Sequence, residues 1–241
     1  MDRLIYTALS GAKATLQRQD VLANNLANVS TTGFRAEMQA FRAVPVLGDG
    51  ASTRVFAAES TIGMDSRPGP VQSTGRSLDV AAQGNAWFAV QALDGTEAYT
   101  RAGAFQVNAE GQLVTPGGLP VLGDGGPITL PLNGQVEIAV DGTITTVVGN
   151  GKPQQAGKLK LVTAEGPMTR GEDGLFRGPD GDLTANPAAR VQPGALEGSN
   201  VNAIETMVGI ISAARQFEQQ MKALKSAEER EQSAAKLLAA Q

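Results

Sequence analysis

The sequence predicts an α+β protein: an antiparallel β-rich central domain flanked by N- and C-terminal amphipathic helices that pack together as a coiled-coil-like layer. Three features predict it. Apolar residues recur at helical spacing from Asp2 to about Ser30, and again from Val201 onward. Between these stretches, short apolar runs alternate with turn pairs and carry no helical period. Regular turns without intervening helix point to a sandwich, barrel or meander, not to an alternating α/β enzyme.

The N-terminal segment, residues 1–34, places Ile5, Leu9, Ala12, Leu16, Gln19, Ala23 and Leu26 on alternating steps of four and three. That is a heptad seam with one polar interruption. Its last part, Leu22 to Phe34, reads LANNLANVSTTGF. Asn24, Asn25 and Asn28 are mediocre helix formers, because their amides compete for backbone hydrogen bonds. They nevertheless sit beside a stripe of Leu22, Leu26 and Val29. Ser30-Thr31-Thr32-Gly33 then ends the helix, with Gly33 free to turn left-handed.

Residues 35–74 have no sustained period and contain Pro45, Gly48, Gly50, Gly63, Pro68, Gly69 and Pro70. An extended connecting segment is expected, with Val44, Val46, Val55, Phe56 and Ile62 as its apolar contacts. The central domain, residues 75–193, holds runs such as AWFAVQAL, AFQVNAEGQLVT, VEIAVDGTITTVV and GKLKLVTAEG. Asp94-Gly95, Glu110-Gly111, Asp141-Gly142, Asp173-Gly174 and Asp180-Gly181 punctuate it. Asp-Gly between apolar runs favours a hairpin, because both residues tolerate positive φ. Residues 194–241 return to helix, with Val201, Ile204, Val208, Ile211, Ala214, Phe217, Met221 and Leu224 on one face. Asn200 is the expected N-cap, and Glu205 favours the early turns through the helix dipole.

Composition excludes several functions. The net charge of −4 argues against a nucleic-acid binder, which works by neutralising phosphates. Without cysteine there is no disulfide framework, thiol nucleophile or thiolate metal site. Without histidine the commonest general base and transition-metal ligand are both missing. The opening residues lack the solid apolar run of a cleaved signal, and no stretch is long enough to span a membrane. Glu172-Asp173 and Asp180-Asp182 lie among glycines and prolines and read as solvated turn residues. No enzymatic activity and no cofactor or metal are expected. On spacing alone the terminal stripes have two readings: a helical hairpin packed within the chain, or faces awaiting partner chains.

LANNLANVSTTGF and LEGSNVNAIETMVGIISAARQFEQQMKAL resemble the terminal signatures of bacterial flagellar axial proteins, the rod, hook and hook-associated family. The opening MDRLIYTALSGA narrows the resemblance to the proximal-rod type. SLDVAAQGNAWFAV, YTRAGAFQVNAEGQLVTPGGLPVLG and GEDGLF are similar to the family's central β segments, so the likeness runs from Met1 to about Leu224. It implies a structural subunit of the basal-body rod in the periplasmic space, exported by the flagellar export apparatus without a cleaved signal. Its implied partners are itself and other rod proteins, with no nucleic acid and no membrane insertion. The implied assembly interface comprises Ile5, Leu9, Leu16, Leu22, Asn24, Asn25, Leu26, Asn28, Val29 and Phe34 at one end, and Val201, Ile204, Val208, Ile211, Phe217, Met221 and Leu224 at the other. In such a seam the Asn amides select register, since a slipped neighbour leaves each unpaired at about 1–3 kcal/mol. The alternatives are another axial type, distal rod or hook, and a cell-wall-active or carbohydrate-binding β-rich protein with helical oligomerisation ends.

Overall fold

The computed structural model describes residues 2–45, 55–132, 134–149, 151–179 and 181–239. They divide into two compact units, one of Met1–Val29, Ala36–Asp65 and Val201–Gln241, the other of Ser30–Arg35 and Ser66–Asn200.

The first unit is built on helices α1 (Asp2–Ala27) and α2 (Ala203–Ala239). They run antiparallel. A Cβ on Gly11 would sit 3.1 Å from the Gln220 side chain, and one on Gly209 would sit 3.2 Å from Leu22, so partner numbers fall on α2 as they rise on α1. The contact is a heptad on each helix. Ala8, Ala12, Thr15, Gln19, Leu22 and Leu26 on α1 are buried or half-buried, as are Thr206, Ile210, Ala213, Phe217, Gln220, Leu224 and Ala227 on α2. Small residues at its centre let the helix axes approach closely. The seam expected on α1 therefore mixes two stripes. Ala12, Gln19 and Leu26 belong to the inner one, whereas Leu9, Leu16 and Ala23 are exposed, and the Ile5 side chain lies outside the described residues. Two stripes of the same period, offset by a few residues, cannot be separated by period alone.

Helix α2 begins two residues later than the sequence suggests. Asn202, not Asn200, is its N-cap: the Asn202 Oδ1 accepts the N–H groups of Ile204 at 3.0 Å and Glu205 at 3.2 Å. The connection over 35–74 is also more regular than an extended link. Strand β1 (Glu37–Pro45) pairs antiparallel with β2 (Val55–Met64), from Glu37↔Met64 to Pro45↔Val55, with a bulge at Ala40/Phe41. Residues 46–54, Val46 among them, lie outside the described residues, as do the side chains of Phe56 and Ile62.

In the second unit, β3 (Val71–Ser73) pairs with Ala195–Glu197, and β4 (Val80–Ala82) pairs with Val191–Pro193. The main sheet is antiparallel and has five strands, in the order Leu161–Thr163, β5 (Ala86–Gln91), β6 (Glu97–Thr100), Phe176–Arg177 and Thr169–Arg170. A separate sheet has three strands, in the order Gly134–Ile138, Thr143–Val148 and Gln154–Lys158. The core joins them through Val80, Phe88, Val90, Phe105, Leu113, Val121, Ile144, Leu161 and Val191. Phe88 meets Phe105 edge to face, with ring centroids 5.2 Å apart. The glycines of all five turn pairs take positive φ, from 77 to 92°. In three of those turns the aspartate accepts the N–H two residues on: Asp94 from Thr96, Asp141 from Thr143 and Asp173 from Leu175.

Candidate assembly interface

With the inner seam of α1 and α2 occupied, large apolar side chains remain outside it. On α1, Tyr6, Leu9 and Leu16 are about half exposed; on α2, Ile204 is 76% exposed and Val208 61%. Met207, Ile211 and Met221 are also exposed. Ile204, Val208 and Ile211 fall on steps of four and three, so they form a second helical stripe beside the first. Helix α2 thus carries two apolar stripes in its N-terminal half, and only one is covered by α1. Val201, Phe217 and Leu224 are half-buried, as are Leu22, Leu26 and Val29.

The asparagines divide into two kinds. Asn25 is 5% exposed. Its Nδ2 donates to the Glu37 carbonyl at 2.9 Å, and its Oδ1 accepts the Glu37 N–H at 2.8 Å. The side-chain amide thereby replaces a neighbouring strand and fastens the start of β1 to α1. These two hydrogen bonds are made within the chain. Asn28 donates to the Asn24 carbonyl at 2.9 Å, closing the last turn. Asn24 is exposed and Asn28 half-buried.

Phe34 is 6% exposed, within the β-rich unit, and the Arg170 guanidinium stacks on its ring at 4.7 Å. It is a core residue of that unit.

The three stretches of this unit that border the other lie side by side. Gly33 N–H donates to the Glu197 carbonyl at 2.8 Å, Gly198 N–H to Pro70 at 2.8 Å, and Asn200 N–H to Phe34 at 3.3 Å. Beneath them is an ion cluster that sequence reasoning missed. Glu197 Oε1 lies 2.8 Å from Arg35 and accepts the Gly69 N–H at 2.9 Å, while Oε2 accepts Arg101 Nε at 2.8 Å. The three side chains are exposed by 3% or less. Arg101 also donates to the carbonyls of Ala82, Gly84 and Ala86, and Arg35 to that of Arg67. Burial pulls the Arg101 pKa down, and the adjacent Glu197 carboxylate pushes it back up. The sequence signal is slight: Glu197 is the one charge between Arg190 and Glu205, whereas Arg35 has Glu37 two residues on and Arg101 has Glu97 four before it.

Among the described residues no cluster of three His, Cys, Asp or Glu side chains could hold a metal. A cleft lined by Glu97, Asp141, Lys158, Lys160 and Asn186 contains no aromatic side chain on which a sugar could stack, and Lys160 pairs with Glu97 at 2.7 Å. Among the described residues no helix is long and apolar enough to cross a membrane.

Comparison with known proteins agrees along the whole chain. Residues 5–35 match the family model "Flagella basal body rod protein", residues 81–146 "Flagellar hook protein FlgE/F/G D1 domain", and residues 192–237 "Flagellar basal body rod FlgEFG protein C-terminal". The chain is 48% identical to the flagellar basal-body rod protein FlgF of Salmonella typhimurium, over 99% of both chains. It is 47% identical to FlgF of Escherichia coli, again over 99% of both. Against the basal-body rod protein FlgG of Bacillus subtilis the identity is 33%, over 95% of this chain and 96% of that one. With an inner helical seam complete, a second stripe uncovered and this similarity from end to end, the chain belongs to the family of flagellar basal-body rod proteins.

Proposed function

We propose that the chain is a non-catalytic structural subunit of the flagellar basal-body rod, of the proximal type, polymerising through its terminal helices. The observation that carries this reading is the uncovered stripe of Ile204, Val208 and Ile211 beside an inner seam that α1 already fills. An internal hairpin needs one apolar stripe per helix; a second has work to do only against another chain. Its partners are further copies of itself and other rod proteins, and it reaches the periplasm through the flagellar export apparatus with no signal peptide removed.

Complementation of a strain lacking this subunit tests the proposal. Ile211→Asp should abolish motility and rod assembly, because a carboxylate buried without a partner costs several kcal/mol at every repeated contact. The purified variant should keep its secondary structure and thermal transition, since Ile211 is exposed on α2 and outside the inner seam. Secreted and assembled subunit are measured separately, so that an export defect is not read as an assembly defect. Normal rods built from Ile211→Asp would refute the proposal.

A further inference from the structure

We propose that Glu197, held between Arg35 and Arg101, is a clamp that makes the three border stretches of the β-rich unit one cooperative element. These stretches are Ser30–Arg35, residues 66–70 and residues 197–200, and the chain passes to or from the other unit beside each of them.

At Gly33 and Gly69 their packing leaves no space for a side chain. A Cβ on Gly33 would lie 2.3 Å from the Arg101 carbonyl carbon, and one on Gly69 would lie 2.0 Å from the Gly198 oxygen. Backbone touches backbone, and Gly33 sits at φ 68°, where other residues are strained. Phe34 supplies the buried apolar side chain of these stretches, and hydrogen bonds and charge join their backbones. One carboxylate does much of the joining, since its two oxygens receive Arg35, the Gly69 N–H and Arg101. Asn200 adds a link to the Arg67 carbonyl that Arg35 also uses, at 2.9 Å. The cluster holds two cations and one anion in a buried site, so the excess positive charge is balanced by the carbonyl dipoles around Arg101 and Arg35. Removing the carboxylate would leave two guanidinium groups facing each other without an anion.

The stretches therefore open together or not at all. In a turning rod, load on any one crossing would be shared among them; that consequence rests on the rod reading, whereas the clamp itself is measured on the purified chain.

Amide hydrogen exchange of the full chain is the test. Glu197→Gln preserves the shape of the side chain and removes its charge. Exchange at Gly33, Gly69 and Asn200 should accelerate by a common factor, on the order of tenfold or more, while Ala89 in the main sheet and Val121, which bridges to Val90 beside it, stay protected. Where Glu197→Gln fails to fold, Arg35→Gln carries the test, because the Arg101–Glu197 pair persists. It should accelerate the same three amides, although an arginine, being a donor only, cannot itself accept the Gly69 N–H. Acceleration confined to one stretch, loss of protection throughout the β-rich unit, or no change would each overturn the clamp.

Discussion

At the scale of single residues, Asn25 shows how one amide replaces a strand. It offers a donor and an acceptor to the same backbone residue, Glu37, with the spacing a neighbouring β-chain would have. Asn25→Asp keeps the acceptor but loses the donor, and sets a carboxylate against the Glu37 carbonyl. A loss of about 1–2 kcal/mol in denaturant unfolding of the purified chain is expected, with faster proteolysis within residues 37–64. An unchanged midpoint would show that β1 is held by other contacts. The presence of three asparagines near the end of α1 was legible in the sequence; the partner of Asn25 was not. A backbone N–H and carbonyl look the same at every residue, so nothing in the letters marks Glu37 as the receiving position. The same blindness hid the Glu197 cluster: Arg35, Arg101 and Glu197 are far apart in sequence, and only the pairing of β3 with Ala195–Glu197 brings the last of them beneath Gly69.

Among the elements, both helices and the turn-punctuated sheets follow from period and turn chemistry. The β1–β2 hairpin does not, for a physical reason. Glu37, Gln39 and Phe41 are half-buried while Met38 and Ala40 are exposed, so the inward face of β1 carries polar residues. The alternation of β1 breaks at Arg42/Ala43, and a bulge on β2, where Ser60 lies between the partners of Ala40 and Phe41, interrupts the pairing, so no hydrophobic period of two marks the hairpin. The aspartate turns have a consequence for pH. The Thr143 N–H, its hydroxyl and the distant charge of Lys158 hold the Asp141 carboxyl below the ordinary 3.8. A lowered carboxyl pKa stabilises the fold above its unfolded value, and that contribution disappears as pH falls through the folded one. Asp141→Asn should therefore lower the Tm near neutrality, and the gap from the parent chain should close below about pH 4. A gap that is constant with pH would mean that the turn is stabilised by geometry alone and not by the charge.

For the whole molecule, the decisive feature is the division of apolar surface. The β-rich unit buries its own core, and the paired helices bury one stripe each, yet Leu9, Leu16, Ile204, Val208 and Ile211 remain exposed. Spacing revealed the helical faces, but not which residues α1 and α2 would take from each other, since that depends on helix phase and on small side chains such as Ala12 and Ala213. The chain contains no cysteine, so a single introduced thiol reports its own surroundings. The measurement that bears most directly on the uncovered stripe is maleimide labelling of Val208→Cys, in the purified chain and in intact basal bodies. Labelling should be fast in the purified chain, where Val208 is 61% exposed, and slower by at least about tenfold in the rod, where a neighbouring subunit covers the stripe. Equal labelling rates in both would contradict assembly through this face.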